Sequence, residues 1–117
     1  MRGEKYLKKS EQYALVYNKG ASLSDKLIVI KILSNGLSYS RYGFSVSRRL
    51  GGAVTRNRTK RRLREIMRIL SLEEGWDIIL IARSGAAAVD YQVLRKSVCN
   101  LLLKARIIKR EQVFPGA

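Results

Sequence analysis

Arginine side chains dominate the segment of this sequence whose residue types are best suited to chemistry. Between Arg48 and Arg68 the chain has nine basic residues and a single acid, Glu65, a net charge of +8 out of a formal +15. A guanidinium group presents several donors in a planar fork, and this fork matches the oxygens of a phosphate. Recognition of a polyanion is therefore the chemistry that this segment indicates, and nucleic acid is the predicted partner.

The same segment has the apolar spacing of an amphipathic helix. Leu63, Ile66, Met67 and Leu70 recur at i, i+3, i+4 and i+7, which places them on one helical face. At about 100° per residue, the polar residues on or near the opposite face are Asn57, Arg58, Arg61, Arg64 and Arg68.

An ordinary solvated helix face is the alternative to a phosphate-binding one. Such faces usually mix charges of both signs, whereas here Glu65 alone can pair with Arg61, Arg62 or Arg68. The remaining cations repel one another unless a polyanion relieves the repulsion, so we favour phosphate binding.

Catalytic and metal-binding side chains are scarce. The sequence has no histidine, which removes the usual general base and most zinc sites. Its one cysteine, Cys99, lies among Val98, Leu101 and Leu102, and we interpret it as a small buried residue rather than a nucleophile. The nine acidic residues are scattered along the chain, so we predict no catalytic residue and no metal site in this protein.

Length and hydropathy predict a single domain that spans residues 1–117, and the family resemblance described below implies that it is an RNA-binding domain. The longest uncharged run, from Ile32 to Ser40, has nine residues, far fewer than the roughly 20 that a membrane-spanning helix needs. The basic start of the chain is followed by Ser10, Glu11 and Gln12 rather than by an apolar segment, so no secretory signal is expected. We therefore expect a cytoplasmic protein with no membrane partner.

The order of predicted elements is helix, strand, strand, helix, strand, helix, which favours an α/β (α+β) two-layer sandwich around one sheet. A turn at Ser34-Asn35-Gly36 separates the first two strands, which we predict to form an antiparallel pair. Three helices are predicted. The first spans 10–18, with Ser10 as its N-cap and Gly20 after its end, the second spans 53–70, and the third runs from an N-cap at Asp90 to about Lys109. The predicted strands are 27–33, 39–47 and 76–82.

One face of the predicted sheet carries polar side chains. Alternation along the strands places Lys31, Ser45 and Ser47 on the less apolar faces, and Tyr13 and Tyr17 are one helical turn apart in the first helix. Aromatic rings beside a basic, partly open sheet face can stack on unpaired bases. The alternative is that the two tyrosines are half-buried core residues whose hydroxyl groups are in water.

The run from Leu50 to Arg64, which contains Arg56-Asn57-Arg58, resembles the signature of the bacterial ribonuclease P protein family, the Arg-Asn-Arg motif family. The resemblance extends over nearly the whole chain and includes residues 7–9, 42–49 and 77–83. One residue departs from the pattern: Thr59 stands where the family usually has an aliphatic side chain. Because Thr59 falls on the apolar stripe, its methyl group can still pack.

The resemblance implies an accessory subunit of a ribonucleoprotein endoribonuclease that removes the 5′ leader of precursor tRNA. It further implies catalysis by a large RNA subunit with Mg²⁺, and no cofactor bound by the protein alone. The implied fold has about four strands, three helices and a left-handed βαβ crossover. The implied partners are the ribonuclease P RNA and precursor tRNA, with no small-molecule substrate.

The resemblance also assigns site residues. For the catalytic RNA it implies contacts from Arg56, Asn57, Arg58, Lys60, Arg61 and Arg64. For the single-stranded leader it implies a cleft with Tyr13 and Tyr17, to which the strand alternation adds Lys31, Ser45, Ser47 and Arg48. Two other classes remain open from the residues: a structured-RNA-binding protein of ribosomal or chaperone type, and, with less support, a duplex DNA binder.

Overall fold

A computed structural model describes residues 6–108 and shows three helices on a four-stranded mixed sheet. The α+β class expected from the sequence is confirmed. The elements in chain order are α1 Ser10–Lys19, β1 Ala21–Ser24, β2 Ile28–Ser34, β3 Arg41–Ser45, α2 Ala53–Ile69, β4 Trp76–Ala82 and α3 Tyr91–Lys104, with 3-10 turns at Arg48–Leu50 and Ser84–Ala87.

The strand order is β1-β2-β4-β3, with β4 antiparallel to β2 and parallel to β3. The predicted antiparallel pairing of the two strands that precede α2 is therefore wrong, since β4 lies between them. Ile78, Ile79 and Leu80 of β4 have no exposed surface, and only a central strand can be buried on both faces in this way. The chain leaves β3, crosses over through α2 and enters β4 parallel to β3, as a βαβ unit requires.

Strand β1 was not predicted from the sequence. It has only four residues, Ala21–Ser24, and three of them are exposed, so no apolar alternation marks it. It forms the sheet edge and pairs with β2, with Leu23 opposite Ile30.

The main core lies between one face of the sheet and helices α2 and α3. Alternate residues of β2 and β4 enter it, and the buried stripe of α2 consists of Thr59, Leu63, Ile66 and Met67. A smaller cluster lies on the other face, where Leu7 and Val16 pack against Ile79 beneath α1. The two clusters place the helices on opposite faces of one sheet.

The beginning of α1 differs from the prediction. Helix α1 starts at Ser10, but Lys9 is the N-cap and the Ser10 side chain does not cap the helix. The Gln12 Oε1 atom instead accepts hydrogen bonds from the backbone N–H groups of Lys8 (2.9 Å) and Lys9 (3.1 Å). The glutamine at the third helical position thus bonds back to the N–H of the N-cap residue, as the N3 side chain does in a capping box.

Helix α3 begins as predicted and ends earlier. The Asp90 Oδ1 atom accepts from the Val93 N–H at 3.0 Å, which confirms the predicted N-cap. The helix ends at Lys104 rather than near Lys109, because Arg106 adopts φ +61° and turns the chain. The Ile107 N–H then bonds to the Leu102 carbonyl at 3.0 Å, the pattern of a Schellman motif. The predicted end at Lys109 lies outside the described residues.

The turn between β1 and β2 is held by the Asp25 carboxylate. Its Oδ1 atom accepts from the N–H groups of Leu27 and Ile28, each at 2.9 Å, and its Oδ2 atom accepts from the Ser97 hydroxyl of α3 at 2.5 Å. Burial alone would raise the pKa of Asp25, but the hydrogen bonds from Ser97, Ile28 and Leu27 outweigh it, so the pKa is lowered. The ionised carboxylate therefore ties the β1–β2 hairpin to α3.

A pH-dependent stability follows for Asp25→Asn. Because the folded state lowers the pKa of Asp25, the ionised group stabilises the fold above its ordinary pKa, and this stabilisation is lost as pH falls through the lowered value. We expect wild type to exceed Asp25→Asn in unfolding free energy near neutral pH, and the difference to shrink below about pH 4. Urea unfolding across this range measures it, and a difference that stays constant with pH would contradict the assignment.

Candidate nucleic-acid interface

Helix α2 is anchored by its apolar stripe and leaves its arginine-rich side in solvent. The helix begins after Gly51-Gly52, and Gly51 has φ +145°, a conformation that favours glycine. Thr59 is buried at 2% exposure, as the sequence predicted, and its hydroxyl donates to the Thr55 carbonyl at 3.0 Å. The orientation of α2 is therefore fixed by burial, and its polar residues are left facing outward.

The name basic face is used below for Asn57 and the exposed basic residues of α2, which are Arg58, Lys60, Arg61, Arg64 and Arg68. Glu65 pairs with Arg68 at 2.6 Å, one of the three partners that the sequence allowed. Within residues 6–108, Lys60, Arg61 and Arg64 have no hydrogen bond or ion pair to the protein. These cations are free to bind an external anion.

On the flank of α2 next to the turn at Ser84–Ala87, arginine side chains contact backbone carbonyls of the protein itself. The Arg62 guanidinium donates to the Val89 carbonyl at 3.0 Å, and that of Arg58 makes a longer contact of 3.4 Å with the Ala87 carbonyl. Arg62 is partly buried and has a structural role, whereas Arg58 is exposed and only weakly held. Neighbouring arginines of one helix thus differ in function because of their angular position.

Arg56 is the member of the predicted motif that does not lie openly on the basic face. It is partly buried, and its Nε atom is buried without a hydrogen-bond partner. The structure therefore brings Asn57, Arg58, Lys60, Arg61 and Arg64 together at the surface and places Arg56 beside them at the start of the helix.

A second polar surface lies on the opposite face of the sheet, beside α1. The name α1 cleft is used below for this surface and its predicted residues Tyr13, Tyr17, Lys31 and Ser45. Register places Lys31, Ile79 and Gly43 in one row across three strands and Val29, Ile81 and Ser45 in the next. The predicted residues Lys31 and Ser45 thus share this face with Tyr13, whose ring packs with the smaller core cluster beneath α1.

The two tyrosines of α1 have different environments. Tyr13 is partly buried, and its hydroxyl donates to the Leu7 carbonyl in a long hydrogen bond of 3.4 Å. Burial raises the pKa of Tyr13, a backbone hydrogen bond from Phe44 opposes the rise, and the nearby Tyr17 adds to it. The hydroxyl of Tyr13 is thus held by the protein rather than by water alone. Tyr17, at 39% exposure, is the ring that is open to a ligand.

Ser47 and Arg48 are exposed at the end of β3, where the chain leaves the sheet. The Ser47 carbonyl accepts from the Leu50 N–H at 3.1 Å and starts the 3-10 turn that leads to α2. These two residues therefore lie in the short segment that connects β3, a strand of the α1 cleft, to α2.

Sequence reasoning missed the cleft residues that are small or on unpredicted elements. Ser22 and Ser24 of β1 pair with Lys31 and Val29, so they extend the same face to the sheet edge. Gly43 lies under the Tyr13 ring, and a Cβ atom there would overlap the Tyr13 hydroxyl. A glycine inside an otherwise bulky strand is the signal that could have identified this close approach.

Other groups in the described part of the chain bear on the class of protein. Cys99 is buried, and burial raises the pKa of its thiol, which agrees with a packing role. Across residues 6–108 no three histidine, cysteine or acidic side chains are grouped so that they could hold a metal ion. In the same residues no helix is both long and apolar enough to cross a membrane.

A mixed sheet that carries an anchored basic helix on one face and a partly covered polar surface with Tyr13 and Lys31 on the other defines an RNA-binding α+β protein. The family model for ribonuclease P matches residues 1–106. This chain belongs to the ribonuclease P protein family. It is therefore a subunit of a ribonucleoprotein endoribonuclease that processes tRNA, and its partners are the ribonuclease P RNA and precursor tRNA.

Similar proteins agree in sequence and in fold. The ribonuclease P protein component of Dehalococcoides mccartyi strain CBDB1 is 44% identical over 110 residues, which cover 94% of this chain and 92% of the relative. The ribonuclease P protein of Staphylococcus aureus superposes with a TM-score of 0.81 at 30% identity, over 90% of this chain and 98% of that one. For the protein of Thermotoga maritima the TM-score is 0.76 at 33% identity, with 85% and 96% covered.

The contrast between Arg61 and Arg62 predicts different effects on the free protein. Arg61→Ala removes an exposed cation without a partner, so we expect the unfolding free energy to change by no more than about 0.5 kcal/mol. Arg62→Ala removes the donor to the Val89 carbonyl and is expected to cost about 1 kcal/mol. Urea unfolding of both variants provides the comparison, and equal losses would show that the two arginines do not differ in role.

Proposed function

We propose that the basic face of α2 binds the RNA subunit and that the α1 cleft binds the single-stranded 5′ leader of precursor tRNA. The observation that carries this proposal is the separation of the two surfaces. Helix α2 packs on the face formed by Ile28, Ile30 and Ile78, whereas α1 packs on the face formed by Ile79. One small protein can therefore contact two RNA molecules at once without competition between them.

The basic face is suited to a folded RNA because its contacts are to charge rather than to base edges. Arg61 and Arg64 are exposed and unpaired, and each can neutralise a phosphate as counterions are released. The helix is held by its buried stripe, so the cations are positioned before binding and little ordering is required. Affinity for the RNA subunit is then strongly dependent on salt.

The α1 cleft is suited to unpaired nucleotides. Tyr17 offers an exposed ring for stacking, and Lys31 supplies a cation on the adjacent sheet face. A base in a duplex is already stacked and paired, so this kind of site selects single strands. Precursor tRNA has a leader and mature tRNA does not, so the cleft strengthens substrate binding relative to product.

Chemistry in this proposal belongs to the RNA subunit. The described residues offer the two RNA-binding surfaces, and the proposal assigns no catalytic role to any of their side chains. Mg²⁺ is expected to act with the RNA, whose phosphate oxygens are the hard ligands this ion prefers, and the protein alone is expected to bind no cofactor. The cytoplasm, where precursor tRNA is available, is the proposed compartment.

Arg61→Ala tests the basic face. We expect a weaker complex with the ribonuclease P RNA and a plot of log affinity against log salt whose slope is smaller by about one, since one phosphate contact is lost. The measurement is the dissociation constant at several salt concentrations. Glu65→Gln is a matched control on the same helix, because it removes no cation and is expected to leave the slope unreduced. An unchanged slope in Arg61→Ala would remove this position from the RNA interface.

Tyr17→Ala tests the α1 cleft. If a leader base stacks on this ring, the loss of binding is about 1–3 kcal/mol for leader-bearing tRNA and close to zero for mature tRNA. The dissociation constants of both RNAs from the reconstituted holoenzyme measure the difference.

Tyr39→Ala is the matched control for Tyr17. Its ring is 37% exposed, almost the same as that of Tyr17, but it lies in the loop between β2 and β3 beside Met67 and Arg68 of α2. We expect this variant to keep the preference for the leader. Equal loss of precursor and mature tRNA in Tyr17→Ala would mean that Tyr17 acts through folding instead.

A further inference from the structure

Gly43 is the one residue of β3 whose lack of a side chain allows α1 to lie as it does. It is buried in the interior of β3 and pairs with Ile79 of β4. A Cβ atom at this position would overlap the hydroxyl of Tyr13 and come within 2.6 Å of ring atom Cζ. Contacts this short do not occur, so any side chain at residue 43 must displace the Tyr13 ring.

The Tyr13 hydroxyl is held at this point by the segment that precedes α1, since it donates to the Leu7 carbonyl at 3.4 Å. Leu7 is itself attached to β3, because its N–H donates to the Tyr42 carbonyl at 3.0 Å. The ring of Tyr13 is thus fixed against the backbone of the strand and of the segment that precedes α1.

The position of Tyr13 in turn affects the open ring of the cleft. Tyr17 lies one helical turn further along α1 and is close enough to Tyr13 to influence its ionisation. In the same row of the sheet as Gly43 is Lys31, the cation of the cleft. A Tyr13 ring pushed away from β3 would alter the width between α1 and this row.

We propose that Gly43 is a positioning residue for leader binding: the empty space above it seats Tyr13 against β3 and so sets the distance between Tyr17 and the cleft floor. This inference rests on the proposed function of the α1 cleft. Gly43 touches no RNA in this role and acts through Tyr13. A substitution at Gly43 is therefore expected to change the affinity for the single-stranded leader and not the affinity of α2 for the RNA subunit.

The test is a double-mutant cycle of Gly43→Ala and Tyr13→Ala in the holoenzyme reconstituted with ribonuclease P RNA. The quantity measured is leader preference, the ratio of dissociation constants for mature and leader-bearing tRNA. We expect Gly43→Ala to reduce this preference by at least about fivefold, the loss of roughly one stacking contact. In the Tyr13→Ala background, where no ring remains to be displaced, Gly43→Ala is expected to change it by less than about twofold.

Equal losses from Gly43→Ala in both backgrounds, or no loss in either, would overturn the proposal. Folding is followed in every variant by thermal unfolding and by affinity for the RNA subunit. If Gly43→Ala is itself destabilised, the same substitution in the Tyr13→Ala background should cost no further stability, because the overlap is gone. A double variant that is less stable than Tyr13→Ala shows that residue 43 acts on the strand rather than through Tyr13, and this also overturns the proposal.

Gly85→Ala is the matched control. A Cβ atom at Gly85 would meet its nearest atom, Leu27 Cδ2, at an ordinary 3.4 Å, so the substitution is expected to leave leader preference unchanged. A second readout is the titration of ¹³Cζ-labelled tyrosine, in which displacement of the buried hydroxyl should lower the pKa of Tyr13 towards its ordinary value. No movement of this titration in Gly43→Ala would contradict the displacement of the ring.

Tyr17→Ala separates the two proposals. If Tyr17→Ala keeps full leader preference, the proposed function of the cleft is wrong whatever Gly43 does. If Tyr17→Ala loses the preference and Gly43→Ala keeps it, the cleft binds the leader and the role of Gly43 alone is rejected.

Discussion

Burial of β4 on both faces is the constraint on which the rest of the structure depends. Ile78 and Leu80 enter the main core and Ile79 enters the smaller one, and none of the three has exposed surface. An apolar strand of this kind needs a neighbour on each side and a cover on each face. Strands β2 and β3 supply the neighbours. Helices α2 and α3 cover one face and α1 covers the other, so the two surfaces proposed to bind RNA are consequences of how β4 is buried.

The charge of α2 is tolerated because its buried stripe, and not its surface, holds the helix in place. Leu63, Ile66 and Met67 are almost completely buried, whereas Lys60, Arg61 and Arg64 have no partner in the described protein. Mutual repulsion of the free cations opposes folding only weakly in water and salt, since exposed charges are screened. A bound polyanion relieves this repulsion, and the relief favours binding. In the proposed function, stability and RNA affinity are therefore carried by different faces of one helix.

Cover over the second face of the sheet is partial. Helix α1 buries Val16 and half of Tyr13, while Lys31, Ser45 and the ring of Tyr17 stay accessible. A complete cover would have given a larger core and no cleft. The close seating of α1 depends on glycines at two points: Gly43 beneath Tyr13, and Gly20, where a Cβ atom would lie 2.5 Å from the Val16 carbonyl oxygen. Small residues in the sheet and at the helix end thus let α1 lie close against the sheet.

The sequence by itself determined the local elements, because periodicity and capping depend on near neighbours. These elements are the bounds of α2 and β4 to within a residue, the Asp90 cap, the buried Thr59 and the exposed arginines. It also indicated RNA binding, because charge and guanidinium chemistry are properties of composition. Only the tertiary structure decided that β4 separates β2 from β3, that α3 ends at Lys104, and that Arg62 is an anchor while Arg61 is free. Those outcomes depend on contacts between residues distant in sequence, such as Arg62 with Val89 and the backbone of Glu73 with that of Ile107, which no local pattern encodes.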